Sequence, residues 1–207
     1  MKTSMRFVLA GSVAGAVLLA AGIGMGMGGR DAAPVAQAAA APADPKAYTV
    51  DSLHTSVVFK IKHNNASNFY GRFNSTTGSF TLGDTCSVEM MVKTDSVDTN
   101  NSKRDSDVKG PDILGAKEFP EMKFVGKDFK KSGEGAWKGT GQLTFHGATR
   151  PLEVEIKQTG SGNSRGKDIA GIEASFTFKR SDFGSKGMQG MLGDDITIWV
   201  ASEGGAK

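Results

Sequence analysis

The stretch Asp51 to Phe73, DSLHTSVVFKIKHNNASNFYGRF, alternates with a period of two. Val57, Phe59 and Ile61 fall on one side, Val58, Lys60 and Lys62 on the other, and Phe69, Gly71 and Phe73 resume the pattern. Successive side chains of an extended chain point to opposite faces, so this alternation requires a strand with one buried and one wet side. The period recurs to the end of the chain. Phe80 pairs with Leu82, Val88 with Met90 and Val92, and Met122 with Phe124. Trp137, Gly139, Gly141, Leu143 and Phe145 oppose Lys138, Thr140, Gln142, Thr144 and His146. Leu152, Val154 and Ile156 follow, then Ile172, Ala174, Phe176 and Phe178, and last Ile196, Ile198 and Val200.

Turn chemistry separates these runs at GDT (83–85), KKSGEG (130–135), HGATRP (146–151) and GSGNSRGKD (160–168). With 28 Gly and only 6 Pro, the composition suits many tight turns between long strands. Roughly eight one-sided strands in meander order predict an all-β, eight-stranded antiparallel barrel, because closure removes the exposed edges of long strands. A two-sheet sandwich is the structural competitor. Asp98 to Pro120 breaks the alternation. It is polar, offers helix caps at Asn101 and Ser102, and reads as a crossover with one or two short helices.

Residues 1–38 are a different material. Lys2 and Arg6 precede an apolar run from Phe7 to about Gly29, and Ala36-Gln37-Ala38 matches an A-x-A cleavage pattern. The run is also long enough to span a bilayer. Residues 1–38 are expected to be a signal peptide or a signal anchor, 39–47 a linker, and 48–203 the barrel domain. Either form of leader delivers that domain outside the cytoplasm, periplasmic or secreted, with a tether to the inner membrane if the segment is not cleaved.

Charge argues against nucleic acid. Removing Lys2, Arg6, Arg30 and Asp31 from 25 basic and 22 acidic residues leaves 22 against 21. Cys86, the sole cysteine, excludes an intrachain disulfide and shares its face with Val88, Met90 and Val92, the setting of a small buried hydrophobe. No GxSxG elbow, HExxH or P-loop is present, so no catalytic residue is assigned and the chain is not read as an enzyme.

An eight-stranded barrel is either filled by its own side chains or holds one small ligand. The inward list mixes large groups with Gly71, Gly139, Gly141 and Ala174. Glycine inside a strand marks a bend or leaves room for a guest, and both readings stand. An apolar interior predicts a long-chain guest bound by area, at roughly 0.8 kcal/mol per buried CH2. The candidate lining is Val57, Phe59, Ile61, Phe73, Phe80, Met90, Phe124, Trp137, Gly139, Gly141, Leu143, Ala174, Phe176, Phe178 and Ile198.

The segments YTVDSLHTSVVFKIKH, GRF, SVDTNNSKRD, KEFPEMKF, GQLTFHGATRPLEVEI, FKRSDFG and GDDITIWV together resemble the YceI family across nearly all of residues 48–203. The resemblance implies a lipocalin-like barrel in the bacterial envelope that encloses a polyisoprenoid or similar lipid, such as a quinone or polyprenyl phosphate, without a cofactor. The alternative is a solid-core structural or interaction domain of the envelope stress response; dimerisation is left open. Two departures fall in the crossover: Asp107 stands where the family has a histidine, and PDILGA lacks aromatic residues usual there.

A diphosphate-type head group would want a cation at the barrel mouth, which makes Lys103, Arg104 and Arg180 the head-group candidates. Arg104 and Asp105 are expected to pair with each other or a nearby loop, and Asp182 to order the turn before Phe183. Arg72, out of inward phase, is read as solvated or loop-pairing. His54 and His63 are nine residues apart on extended chain, too far apart for one ion, so no metal site is assigned. His54 is expected to order a turn and His146 a hairpin.

Overall fold

The computed structural model describes residues 45–207; the expected leader and residues 39–44 of the linker lie outside them. The alternating runs form strands at the expected places: β1 (Lys46–His63), β2 (Ser67–Phe73), β3 (Thr76–Leu82), β4 (Thr85–Lys93), β5 (Val97–Asp98), β6 (Glu121–Gly133), β7 (Ala136–Phe145), β8 (Ala148–Ser164), β9 (Lys167–Lys179) and β10 (Leu192–Ala206). β1 opens at Lys46, inside the stretch expected to be linker.

β1 is 18 residues long and serves two neighbours along one edge. Lys46–Thr49 pair with β3, and Val57–His63 pair with β2. From β3 the antiparallel ladder runs through β4, β6, β7, β8, β9 and β10, and β10 pairs back onto β1 from Tyr48↔Ala206 to His63↔Leu192. Eight strands thus close a ring, with β2 and β5 extending the sheet beyond β1. This closure excludes the sandwich.

Local chemistry sets the turns. Asn64 and Asn65 (φ 49° and 51°), His146 and Gly147 (47° and 75°), and Arg165 and Gly166 (51° and 78°) are pairs with positive φ at both central positions. Such turns match the right-handed twist of the flanking strands, with Ala66 a third residue in the first of them. His146 also binds Pro111 O through Nε2, at 2.8 Å, tying its hairpin to the crossover. The crossover holds one helix, α1 (Ser102–Val108), whose N-cap Asn101 accepts from the Arg104 amide at 2.9 Å.

The register of β1 against β10 breaks between Val50 and Thr55. In this bulge Asp51 accepts the Leu53 amide and contacts His54 Nδ1, both at 2.9 Å. His54 therefore orders a bulge, with Glu203 close by on β10. Across this end the barrel is solid: Tyr48 stacks on Phe80 at 5.1 Å, while Cys86, Phe129 and Trp137 are buried and Trp137 Nε1 donates to Gly83 O.

The inward glycines belong to this packing. A Cβ on Gly139 would lie 1.9 Å from Phe129 Cδ1, one on Gly141 2.3 Å from Phe124 Cζ, and one on Gly71 2.4 Å from Phe59 Cζ. The space at each is taken by a phenyl ring of the protein itself.

Candidate functional site

Toward the α1 end the interior is hollow. A cavity of about 250 Å³ is bounded by Phe59, Ile61, Phe69, Phe73, Phe145, Phe178, Ile196 and Ile198 from the wall and by Val108, Ile113 and Leu114 from the crossover. Deeper in the barrel lies a second cavity of about 60 Å³, walled by Val57, Val88, Met90, Phe124, Leu143, Val154, Ile156, Ala174 and Phe176. Met122 and Ile198 border both. Methionine is the side chain best able to re-pack, so the partition is soft on that side.

The polar lining of the larger cavity consists of His63, Thr99, Arg104, Arg180 and Ser185; among the described residues no carboxylate lines it. Arg180 opens the short 3-10 turn Arg180–Phe183 after β9 and is only 2% exposed. Its Nε donates to Gly193 O (2.9 Å), Nη1 to Ser185 O (3.1 Å) and Nη2 to Leu192 O (3.2 Å). A guanidinium has five N–H donors, so two remain beyond these three bonds. Burial lowers its pKa and the Asp194 charge opposes that effect, yet an arginine keeps its proton.

Asp194 itself accepts from Ser181 N (3.0 Å) and Oγ (2.8 Å). Burial works to raise its carboxyl pKa, but those Ser181 bonds and nearby cations bring it below the ordinary value. The turn before Phe183 is therefore ordered by Asp194 and not, as the sequence suggested, by Asp182. The reason is topological, because β10 returns Asp194 beside Ser181.

Arg104 reaches the cavity from α1. Nε donates to Thr99 Oγ1 (3.0 Å), Nη2 to Thr99 O (2.6 Å), and the guanidinium lies 4.5 Å from the Phe69 ring centre. Asp105 binds the Thr99 amide (2.7 Å) and hydroxyl (2.6 Å). Of the two expectations the second therefore holds: Arg104 and Asp105 both pair with the neighbouring loop, at Thr99, and not with each other. Their side chains leave the helix in different directions, and Thr99 offers a partner to each. Arg72 is exposed, as its phase suggested, and pairs not with a loop but with its ladder partner Asp98 on β5, at 3.4 Å.

The structure gathers most of the candidate lining. Phe59, Ile61, Phe73, Phe178 and Ile198 border the larger cavity; Val57, Met90, Phe124, Leu143, Ala174, Phe176 and again Ile198 border the smaller. Phe80 and Trp137 lie in the packed end, and Gly139 and Gly141 sit under Phe129 and Phe124. Among the head-group candidates Arg104 and Arg180 line the cavity, whereas Lys103 is exposed on α1 and does not. Sequence reasoning placed Met122, Phe145 and Ile196 on inward faces but left them out of the lining, and it missed His63, Phe69, Thr99 and Ser185 as well as Val97, Val108, Ile113, Leu114 and Leu192. His63 and Phe69 were legible, since each continues an inward phase already noted. Thr99 and Ser185 sit in connections where no period points anywhere.

With this geometry in view, the sequence profile of the YceI-like domain matches residues 48–203. The chain belongs to the YceI-like family. It is 35% identical over 164 residues to the UPF0312 protein of Yersinia pestis (strain Pestoides F), covering 76% of this chain and 85% of that one. Its fold is that of BcnA from Burkholderia cenocepacia, with TM-score 0.67 and 20% identity over 74% of this chain and 98% of that one. It also matches a polyisoprenoid binding domain from Saccharophagus degradans implicated in plant cell wall breakdown, with TM-score 0.62 and 10% identity over 78% and 99% of the two chains. Set against the YceI family pattern, Asp107 lies on α1 outside the cavity lining, while the PDILGA segment contributes Ile113 and Leu114 to it.

Proposed function

We propose that this YceI-like protein binds a polyisoprenoid or similar lipid carrying an anionic head, as a carrier and not as a catalyst, outside the cytoplasm. The observation that carries the reading is the donor-rich, carboxylate-free polar lining of the larger cavity. An apolar chamber whose polar groups are two guanidinium groups, two hydroxyls and an imidazole suits a greasy chain that ends in negative charge. Arg180 is held rigidly by three backbone carbonyls, so its remaining donors are pre-aimed and lose little freedom when they meet an anion. The tail contributes by area, roughly 0.8 kcal/mol per buried CH2. The Saccharophagus degradans neighbour supports the ligand class, and the leader of residues 1–38 supports export.

The test is a pair of titrations with geranylgeranyl phosphate and geranylgeraniol, which share a tail and differ in the head. The expected result is at least about tenfold tighter binding of the phosphate, a difference of about 1.4 kcal/mol, narrowing as salt is raised. Equal affinity for both would remove the head-group assignment, and no binding of either would remove the carrier reading.

A further inference from the structure

The barrel wall is not laddered all the way round. β8 and β9 pair from Ser164↔Lys167 only as far as Ile156↔Ala174. Beyond that point residues 149–155 pair with β7 alone and residues 175–179 with β10 alone. An unzipped seam therefore begins just beyond Ala174.

The interior and the outside meet at this point. The small inner cavity is bordered by inward-phase residues together with Glu173, whose side chain is on the outer face. On the outside a groove of about 350 Å³ runs across β8, β9, β10 and β1, over Val58, Trp199 and Ala201 between the polar Ser56, Glu155, Lys157, Glu173 and Ser175, and it is bordered in turn by the inward-phase Ala174 and Val200. Glu173, Ala174 and Val200 thus border both spaces. On β9 the nearest inward neighbours of Ala174 are Ile172, Phe176 and Phe178, all large; the other small inward residue, Ala170, lies further along the strand and is fully buried.

The inner cavity, about 60 Å³, is much smaller than the one toward α1, about 250 Å³, so the interior narrows where a long chain would continue. We propose that a tail too long for the interior leaves the barrel sideways at Ala174 and lies in the outer groove against Val58 and Trp199, which makes Ala174 the residue that sets how long a tail is accepted. This rests on the lipid reading given above. Trp199 suits a passing tail because it is 37% exposed, stacks on Tyr70 at 6.2 Å and has Lys60 Nζ at 5.3 Å, so it presents a rigid apolar face at the surface.

The experiment compares a short-tailed probe, geranyl phosphate, with a long-tailed one, undecaprenyl phosphate, on the parent protein and on Ala174→Leu and Trp199→Ser. The leucine side chain would enter the cavity and close the window from inside, while Trp199→Ser strips the groove from outside without touching the interior. The expected result is a loss of about tenfold in affinity for the long probe with Ala174→Leu, larger than the loss for geranyl phosphate in the same variant, a smaller loss for the long probe with Trp199→Ser, and geranyl phosphate binding unchanged in Trp199→Ser. Long-probe binding that survives both substitutions overturns the lateral route. So does an equal loss of both probes in Ala174→Leu with no effect of Trp199→Ser, since Ala174 would then matter only for packing. If the parent binds neither probe, the lipid reading itself fails.

Discussion

Gly139 shows at single-residue scale how the barrel is filled. A methyl group there would fall 1.9 Å from Phe129 Cδ1, and Phe129 is itself 1% exposed with nowhere to swing. Gly139→Ala is expected to destabilise the fold by roughly 1–3 kcal/mol, read as a lower urea midpoint in Trp fluorescence. A second single-residue effect concerns pH. The Asp51 hydrogen bond raises the His54 pKa above its ordinary value, with the Asp51 and Glu203 charges adding to it, and the same bond lowers that of Asp51. A histidine raised on folding adds stability that is complete below its unfolded value of about 6.5 and is lost as pH rises through the higher folded value. An aspartate lowered on folding adds stability above about 3.9 that is lost as pH falls through its lower folded value. The melting temperature of the parent should therefore exceed that of His54→Asn at pH 5 to 6 and converge with it at higher pH; a gap that does not change with pH would remove this role. Cys86, by contrast, takes no part, because burial pushes its thiol up to about 12.

Among the elements, the segment from the turn at Arg180–Phe183 into the start of β10 depends on one side chain. Arg180 bridges the carbonyls of Ser185, Leu192 and Gly193, and Ser185 Oγ in turn donates to Ile113 O in the crossover. These bonds hold the crossover, the 185–193 loop and the end of β9 around one chamber. Arg180→Met keeps the volume and removes the donors. Three charge-assisted bonds are lost and buried carbonyls are left unpaired, so the expected cost is roughly 3 kcal/mol or more, accompanied by loss of the preference for a phosphate head. Hydrogen exchange should locate the damage in residues 185–193 rather than in β6–β8. β1 makes a different point about elements. Its single alternating run was legible as a strand, but nothing in the run says that its first residues would pair with β3 and its last with β2.

Across the whole molecule, period-two alternation is a local property, so strands, turns and inward phase could be read directly. The closed meander followed because long one-sided strands cannot leave their edges free. Most of the cavity lining came with the phase, as Phe59, Ile61, Phe73 and Phe178 show. What the phase could not tell is how far along the barrel each inward residue sits. Phe80 and Trp137 carry the same signal as Phe59, yet they fill the packed end while Phe59 lines the hollow. The glycines could not be interpreted locally either, since the rings that cover Gly139 and Gly141 come from β6, a different strand. Lys103 and Arg104 are adjacent in sequence, equally basic and both exposed, and only the direction of α1 against the barrel brings the Arg104 guanidinium to the cavity lining. Strands, their faces and the closed ring were thus written in the order of the residues, because they depend on neighbours along the chain. Where the barrel is hollow, which cations face the hollow and where the ladder opens emerged only on folding, because each depends on distances between residues remote in sequence.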